Sequence, residues 1–370
     1  VKGEPITWPL MSVLQDKIFA AGAIADIHLV APDNDRGRVW GAAIARHGTL
    51  EQIARTPEWH RLRYESMTKY LEILGAARPD LFAHLPEARQ QAIVRADNPF
   101  WSIRMRKRWA LTLYPTQAFA DLEGMSLDEY TRLIVAAATT DPRALAAVEE
   151  KLHLALGRTR TIRIVSRCPA RNRDLELSVG IEGRAIVMCT GLRNFPDGEV
   201  FTSPNARDVQ GEIFVDLPIW AGGTVIQGIY LRFEDGVVRE YSALQGEAEL
   251  RRIIETDAGS RRLGEVAFGM NSGLTRALKH VLLLEKVGGT LHIALGESAP
   301  ECYGIDPGTP EGQARLEELA AAGTYNKSAR HVDIVLDCRP GGAGQAVYLD
   351  DLPLRVRDNL WEVQERSSSS

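Results

Sequence analysis

Five side chains in the second half of the chain carry its chemistry: Glu199, Glu265, His292, His331 and Asp333. Each lies in a short, otherwise apolar segment that is glycine-bearing or strand-patterned. A lone buried carboxylate is costly, because desolvation disfavours its charged form and drives its pKa up. Three carboxylates and two imidazoles kept inside a fold therefore point to a compensating cation. The tightest piece is His331-Val332-Asp333, followed by the apolar Ile334-Val335-Leu336. Strand side chains alternate faces, so His331 and Asp333 point the same way while their apolar neighbours pack. Taken singly, the residues also read as structural: Glu199 as an exposed glutamate after a turn, Glu265 as an edge-strand charge, His292 as a core histidine. Jointly they read as one ligand set. Its donors are oxygen and imidazole, with no thiolate, which suits a hard or borderline divalent ion. With neutral imidazoles the set carries three negative charges, and two divalent ions bring four positive ones, leaving room for a hydroxide. A carboxylate-bridged metal pair polarises an amide carbonyl and makes hydroxide available at neutral pH, which is what hydrolysis of an unactivated amide requires.

The elements that must position these groups change texture along the chain. The first half alternates helix and strand signals: a helix over 11–22, then a buried strand Ile24–Val30 in which His28 reads as a core histidine. A long helical region follows, broken at Pro57, Pro79 and Pro86. Ser126-Leu-Asp-Glu129 is a capping box opening a helix over Leu127–Ala138. Asp141 caps a second helix that starts at Pro142 and ends before Gly157. After Gly157 strand-like runs crowd together at Thr161–Val165, Leu175–Val179, Arg184–Cys189, Glu212–Leu217, Thr224–Phe233 and Val237–Ala243, with a hairpin turn at Glu234-Asp235-Gly236. A helix at Glu247–Thr256 precedes a second β cluster from Leu291 to Leu336, resuming at Ala346–Leu349. The four terminal serines read as a disordered tail. The expectation is an α/β protein, with an N-terminal α/β domain over 1–157 and a C-terminal mixed α+β metal-binding domain over 158–366.

Composition narrows the function classes. The chain has 370 residues, enough for two domains, with 45% hydrophobic and 25% charged residues as in ordinary globular proteins. A net charge of -5 gives no case for nucleic-acid binding. No run approaches the roughly 20 apolar residues of a membrane span, and no secretory signal opens the chain, so a cytoplasmic location is expected. The first residue is Val1 and a β-like run (Ile6-Thr7-Trp8) follows almost at once, so a short leading segment is expected to be missing. Cys168, Cys189, Cys302 and Cys338 lack metal-knuckle spacing and read as reduced thiols. The basic run Arg104–Arg108, between Trp101 and Trp109, reads as a solvated helical face with two packed tryptophans. Gly222-Gly223 and Gly341-Gly-Ala-Gly344 lack phosphate-loop spacing and read as turns.

Four blocks carry a family resemblance: Pro196-Asp-Gly-Glu-Val-Phe-Thr-Ser-Pro204, Leu263-Gly-Glu-Val-Ala-Phe-Gly-Met-Asn271, Glu285-Lys-Val-Gly-Gly-Thr-Leu-His-Ile-Ala-Leu-Gly296 and Asn326-Lys-Ser-Ala-Arg-His-Val-Asp333. The sequence resembles the metallo-aminopeptidases of the aminopeptidase T / aminopeptidase S type, with weaker similarity around Tyr114-Pro115 and Glu123–Ser126. The resemblance implies two divalent ions (Zn, Co, Mn or Mg) on Glu199, Glu265, His292, His331 and Asp333. It further implies a peptide or small-molecule amide substrate, exopeptidase action and a homodimer. Glu265 is assigned the catalytic role, bridging the ions or lying against the attacking water. One departure stands out. The family has a catalytic tyrosine seven residues after the histidine, and here that position is Ala299. Tyr303 or Tyr325 supplies the hydroxyl instead, or the enzyme is impaired or repurposed. Residues 305–323 read as an insertion with a helix over 310–322, placed to reshape substrate access. Two rivals stay open: a ring-cleaving, non-haem iron dioxygenase on the same scaffold, using His292, His331 and Asp333, and a metal-binding relative without activity.

Overall fold

The computed structural model describes residues 1–30, 41–55, 58–77 and 85–363. Pro57, Pro79 and the terminal serines lie outside the described residues. The chain forms two compact units, one made of residues 1–135, 192–195 and 222–224, the other of the remainder.

The first unit is built on a parallel five-stranded sheet in the order His28–Leu29, Lys2–Gly3, Lys69–Leu74, Arg108–Leu113, Asn194–Phe195. Helices connect its strands, the α/β arrangement expected. Its opening differs from the sequence reading. Ile6-Thr7-Trp8 is not β: Pro5 starts a 3-10 turn and the helix runs Trp8–Ala20, because Pro5 and Pro9 both favour first-turn positions. The expected strand Ile24–Val30 shrinks to His28–Leu29, and Ile24 is 90% exposed. The basic run is not one helical face either. The helix ends at Met105, the strand begins at Arg108, and Arg104 turns inward to ion-pair with buried Glu72. The capping box forms as read: Glu129 N–H donates to Ser126 Oγ (3.3 Å) and Ser126 N–H to Glu129 Oε2 (3.0 Å).

The second unit stacks two antiparallel sheets. A nine-stranded sheet runs in the order Ile219–Ala221, Thr224–Glu234, Val209–Val215, Arg173–Gly180, Thr161–Cys168, Gly344–Leu349, Leu352–Arg357, Leu360–Val363, with Val237–Gln245 also pairing Thr224–Glu234. A five-stranded sheet runs His331–Asp337, Thr290–Gly296, Leu263–Gly269, Glu199–Thr202, Val187–Cys189. Alternation gives each strand one apolar face, and the two faces share a core: Ile162, Ile164, Leu177 and Ile213 cluster with Val266, Phe268, Ile293 and Ile334. Among the strands absent from the sequence reading, besides Lys69–Leu74 and Arg108–Leu113 in its expected helical region, are two more, Leu352–Arg357 and Leu360–Val363. Pro353 masks the first, and the turns joining them to their neighbours use Asp350, Asp358 and Asn359 at positive φ in place of glycine. They matter to the other sheet: Trp361 packs edge-on against Phe268 (5.2 Å) and donates its indole N–H to Thr290 O (3.0 Å). Among the described residues no helix is long and apolar enough to cross a membrane, and the four cysteines are unpaired thiols.

Candidate metal centre

The five residues stand on the face of the five-stranded sheet turned away from the core. Register places Glu265 and Asp333 on either side of Ala294, His331 opposite Gly296, His292 opposite Ala267, and Glu199 opposite Gly269. A small residue beside each acid or imidazole keeps space free above the sheet. Glu265 reaches this face through a local irregularity. Leu263 pairs with Leu295 and Glu265 with Ala294, so two steps on one strand answer one on its partner. Without that bulge Leu263 and Glu265 would share a face, because strand side chains have period two. With it, Leu263 joins the core and Glu265 joins the site. The extra residue is Gly264, where a Cβ would fall 2.2 Å from Glu297 O and 2.4 Å from Gly296 O.

The side chains converge. His292 Nε2 lies 3.2 Å from Glu265 Oε1 and 3.5 Å from Glu199 Oε2. His331 Nε2 lies 3.7 Å from the other oxygen, Glu265 Oε2, and 3.4 Å from Asp333 Oδ1. Glu199, Glu265, His292 and Asp333 are buried, while the His331 side chain keeps 31% exposure. Two groups of potential ligand atoms, Glu199/Glu265/His292 and Glu265/His331/Asp333, each fall within 4.8 Å of one another and share Glu265. Nδ1 of His331 lies 2.8 Å from Glu297 O, so in the neutral imidazole the proton sits on that nitrogen and Nε2 is left as an acceptor toward the cluster.

Three further groups belong to the cluster. Lys286 is wholly buried, with Nζ 2.5 Å from Glu199 Oε1, 2.9 Å from Glu285 Oε1 and 3.5 Å from Asp197 Oδ1. Glu285 also groups with His292 and Asp333. Glu285-Lys286 and Asp197 lie inside the family blocks, where the sequence alone assigns them no role. The signal was a charged doublet set in the apolar stretch from Val281 to Leu295, which no solvated turn explains. Cys189 lies near Asp197 and Glu199, but burial, then their negative charges, push its thiol well up, so it is a neutral neighbour and not a thiolate donor.

Electrostatics show what the cluster lacks. Burial, reinforced by Glu199 and Asp333, raises the Glu265 carboxyl, although His292 and His331 oppose the shift. Burial also pushes Glu285 up to about 8. Burial disfavours a charged His292, yet Glu265, Glu199 and Asp333 overcome it and raise the imidazole to about 9. Burial works against the Asp333 carboxylate, but the charge of the protonated His331 ring beside it outweighs burial and holds it below its usual range. The metal-free cluster thus balances itself by taking up protons. Glu199 Oε2 and Asp333 Oδ1 are buried with no hydrogen-bond partner, and each faces a histidine Nε2. Orphaned carboxylate oxygens beside imidazole nitrogens, in an all-oxygen-and-nitrogen set, fit divalent cations.

The sequence over residues 2–340 matches the thermophilic metalloprotease family (M29). The chain belongs to that family. Among curated relatives, this family member is 37% identical over 142 residues to aminopeptidase T of Thermus thermophilus, a stretch covering 38% of this chain and 33% of that protein. It is 35% identical over 160 residues to aminopeptidase 2 of Geobacillus stearothermophilus, covering 42% of this chain and 37% of the relative. The matched stretches thus span about a third of the relatives' lengths. In fold the M29 chain is similar to wild-type AmpT from Thermus thermophilus, with TM-score 0.72 and 23% identity over 98% of this chain and 93% of the other. It is also similar to a 2,5-dihydroxypyridine dioxygenase from Pseudomonas putida KT2440, with TM-score 0.50 and 13% identity over 100% and 92% of the two chains.

At the position of the family tyrosine, Ala299 packs with Phe201, Ala267 and Cys302. The two candidate substitutes point elsewhere. Tyr325 donates its hydroxyl to Glu297 Oε1 (2.6 Å) or Ser298 O (2.7 Å), and Tyr303 to Thr324 O (3.1 Å). The helix of the expected insertion is present at Pro310–Ala321.

Proposed function

We propose that the protein is an aminopeptidase with a dinuclear metal centre on Glu199, Glu265, His292, His331 and Asp333. The observation that carries this reading is Glu265, whose two carboxylate oxygens face two different histidines and belong to two ligand groups. Charge supports a cation. Asp197, Glu199, Glu265, Glu285 and Asp333 outnumber the buried ammonium of Lys286, and buried Glu149 adds to the negative field at Asp197 and Glu199. Bound there, the ions supply carbonyl polarisation and a nucleophilic water of lowered pKa. The chain supplies the rest. Glu199 and His292 would hold one ion and His331 and Asp333 the other, with Glu265 common to both groups. The apolar cluster of Phe201, Ala267 and Ala299 lies on the same sheet face and excludes water beside the reacting group. Ala299 removes a phenol that would stabilise the oxyanion, which makes this a slow or redirected member of the class. A homodimer and a cytoplasmic location belong to the proposal through the family relationship.

The iron dioxygenase reading shares the fold but needs both histidines and Asp333 on one ion. Among the described residues no candidate ligand group contains both histidines, and that reading leaves Glu199 and Glu265 idle. The test is elemental analysis of the purified chain together with release of free amino acids from short peptides, with and without a chelator. Two equivalents of divalent metal and chelator-sensitive release are expected. One iron with oxygen-dependent turnover overturns the proposal, and bound metal without any turnover assigns the inactive reading.

A further inference from the structure

Lys286 has a place in this site that the ligand set alone does not explain. Its side chain has no exposure, and its three carboxylate contacts come from two separate segments. Asp197 and Glu199 flank Gly198, which adopts φ +131 at the entry to the strand Glu199–Thr202; Glu285 is its own chain neighbour. The contacts are divided in a particular way. Lys286 takes Glu199 by Oε1, and the other oxygen, Oε2, faces His292 without a hydrogen bond. Lys286 also takes Glu285 by Oε1, and a Glu285 carboxylate oxygen lies within 4.8 Å of a ligand atom of Asp333. Asp333 then keeps Oδ1 toward His331 without a hydrogen bond.

We propose that Lys286 is a positioning residue for both metal positions: a built-in third cation that fixes one oxygen of Glu199 directly and orients Asp333 through Glu285, so that each triad presents its remaining oxygen to a metal. A buried ammonium is suited to this. It holds the carboxylates by charge from one side only and cannot leave, whereas without it each carboxylate would rotate to share a proton with its neighbour. It also offsets part of the negative charge that Asp197, Glu199 and Glu285 bring to the cluster. Lys286 touches no reacting atom in this arrangement.

The inference rests on the two-metal reading, and the experiment separates the two. Metal-free wild-type protein, Lys286→Met and Glu285→Gln are titrated with Mn²⁺ by calorimetry, with electron paramagnetic resonance of the bound ions and thermal melting of each metal-free form. Wild type is expected to bind two ions and give a coupled-pair spectrum; fewer than two ions sinks the two-metal reading whatever Lys286 does. Lys286→Met is expected to weaken both binding steps by about 10–100-fold, the usual cost of losing a group that orients metal ligands. Glu285→Gln keeps the shape but removes the negative charge that couples Lys286 to the Asp333 side of the cluster. It is expected to weaken only one step and leave a single tight ion with an uncoupled six-line spectrum. Two unchanged binding steps in a folded Lys286→Met, or equal weakening of both steps in Glu285→Gln, overturns the inference. If Lys286→Met does not fold, Glu285→Gln decides alone.

Discussion

Each unit buries a cluster of charges, and the two clusters behave in opposite ways. In the first unit Lys2 lies 3.2 Å from Glu72, Arg104 pairs with the same carboxylate, and all three are largely enclosed. Burial works against every charge there. Even so, Glu72 ends below its usual range, and Lys2 and Arg104 end above theirs, because one carboxylate meets two cations. In the second unit burial wins at Glu265 and Glu285, which move up, because the carboxylates there outnumber the buried ammonium of Lys286. Burying charge does not by itself mark a functional site. What distinguishes one is a cluster that its own chain leaves unbalanced, so that protons or metal ions must complete it.

The comparison can be broken most decisively at Glu265. Glu265→Gln removes the carboxylate shared by both triads, so at least one metal equivalent is expected to be lost. Turnover should fall roughly 10³-fold or more, above the 10²–10³ cost of deleting one electrostatic donor; metal analysis and a peptide-release assay check this. Glu72→Ala in the balanced cluster should do the reverse: chemical denaturation should register a loss of about 3–5 kcal/mol, since two buried cations lose their partner, while metal content stays at the wild-type value. Unchanged stability in that variant would remove the contrast.

Gly264→Ala sharpens the comparison within the second unit. The added methyl meets two carbonyl oxygens, so the strand must shift, at about 1–3 kcal/mol by analogy with overpacked cores. Metal affinity should fall with it, because the bulge aims Glu265; denaturation and metal titration on one sample read both effects. The smallest effect expected is on pH dependence. His28 and His60 in the first unit are lowered from 6.5 to about 4 by burial and nearby Lys2 and Arg63. The unfolded chain therefore binds more protons between those values, and the first unit loses stability as pH falls from 6.5 toward 4. In the metal-free second unit the folded state holds the extra protons, on Glu285 between 4.5 and about 8 and on His292 between 6.5 and about 9. That unit loses stability as pH rises across those windows, and cation binding there releases protons. Hydrogen exchange followed by unit, with and without metal, should show the opposite slopes.

Much of the site was legible because strand periodicity is local. His331-Val-Asp333 and the glycine- and alanine-spaced segments around Glu199, Glu265 and His292 announce same-face polar groups in apolar strands, and those groups meet in space. The helical caps at Ser126 and Asp141 were legible for the same reason. Ile24–Val30 misled because an apolar run is not buried unless something covers it. The hairpin at Leu352–Val363 was missed because its turns use Asp and Asn where glycine gives the plainer signal.

The residues alone determined which side chains have ligand chemistry and which strands present them, since alternation and donor type are properties of the sequence. Tertiary structure decided three things: that Glu265 spans two triads, that a bulge at Gly264 turns it to that face, and that Lys286, Glu285 and Asp197 complete the charge pattern. The physical reason is that bulge register and charge balance depend on which distant segments lie within a few ångströms, and a sequence fixes neither until its strands have paired.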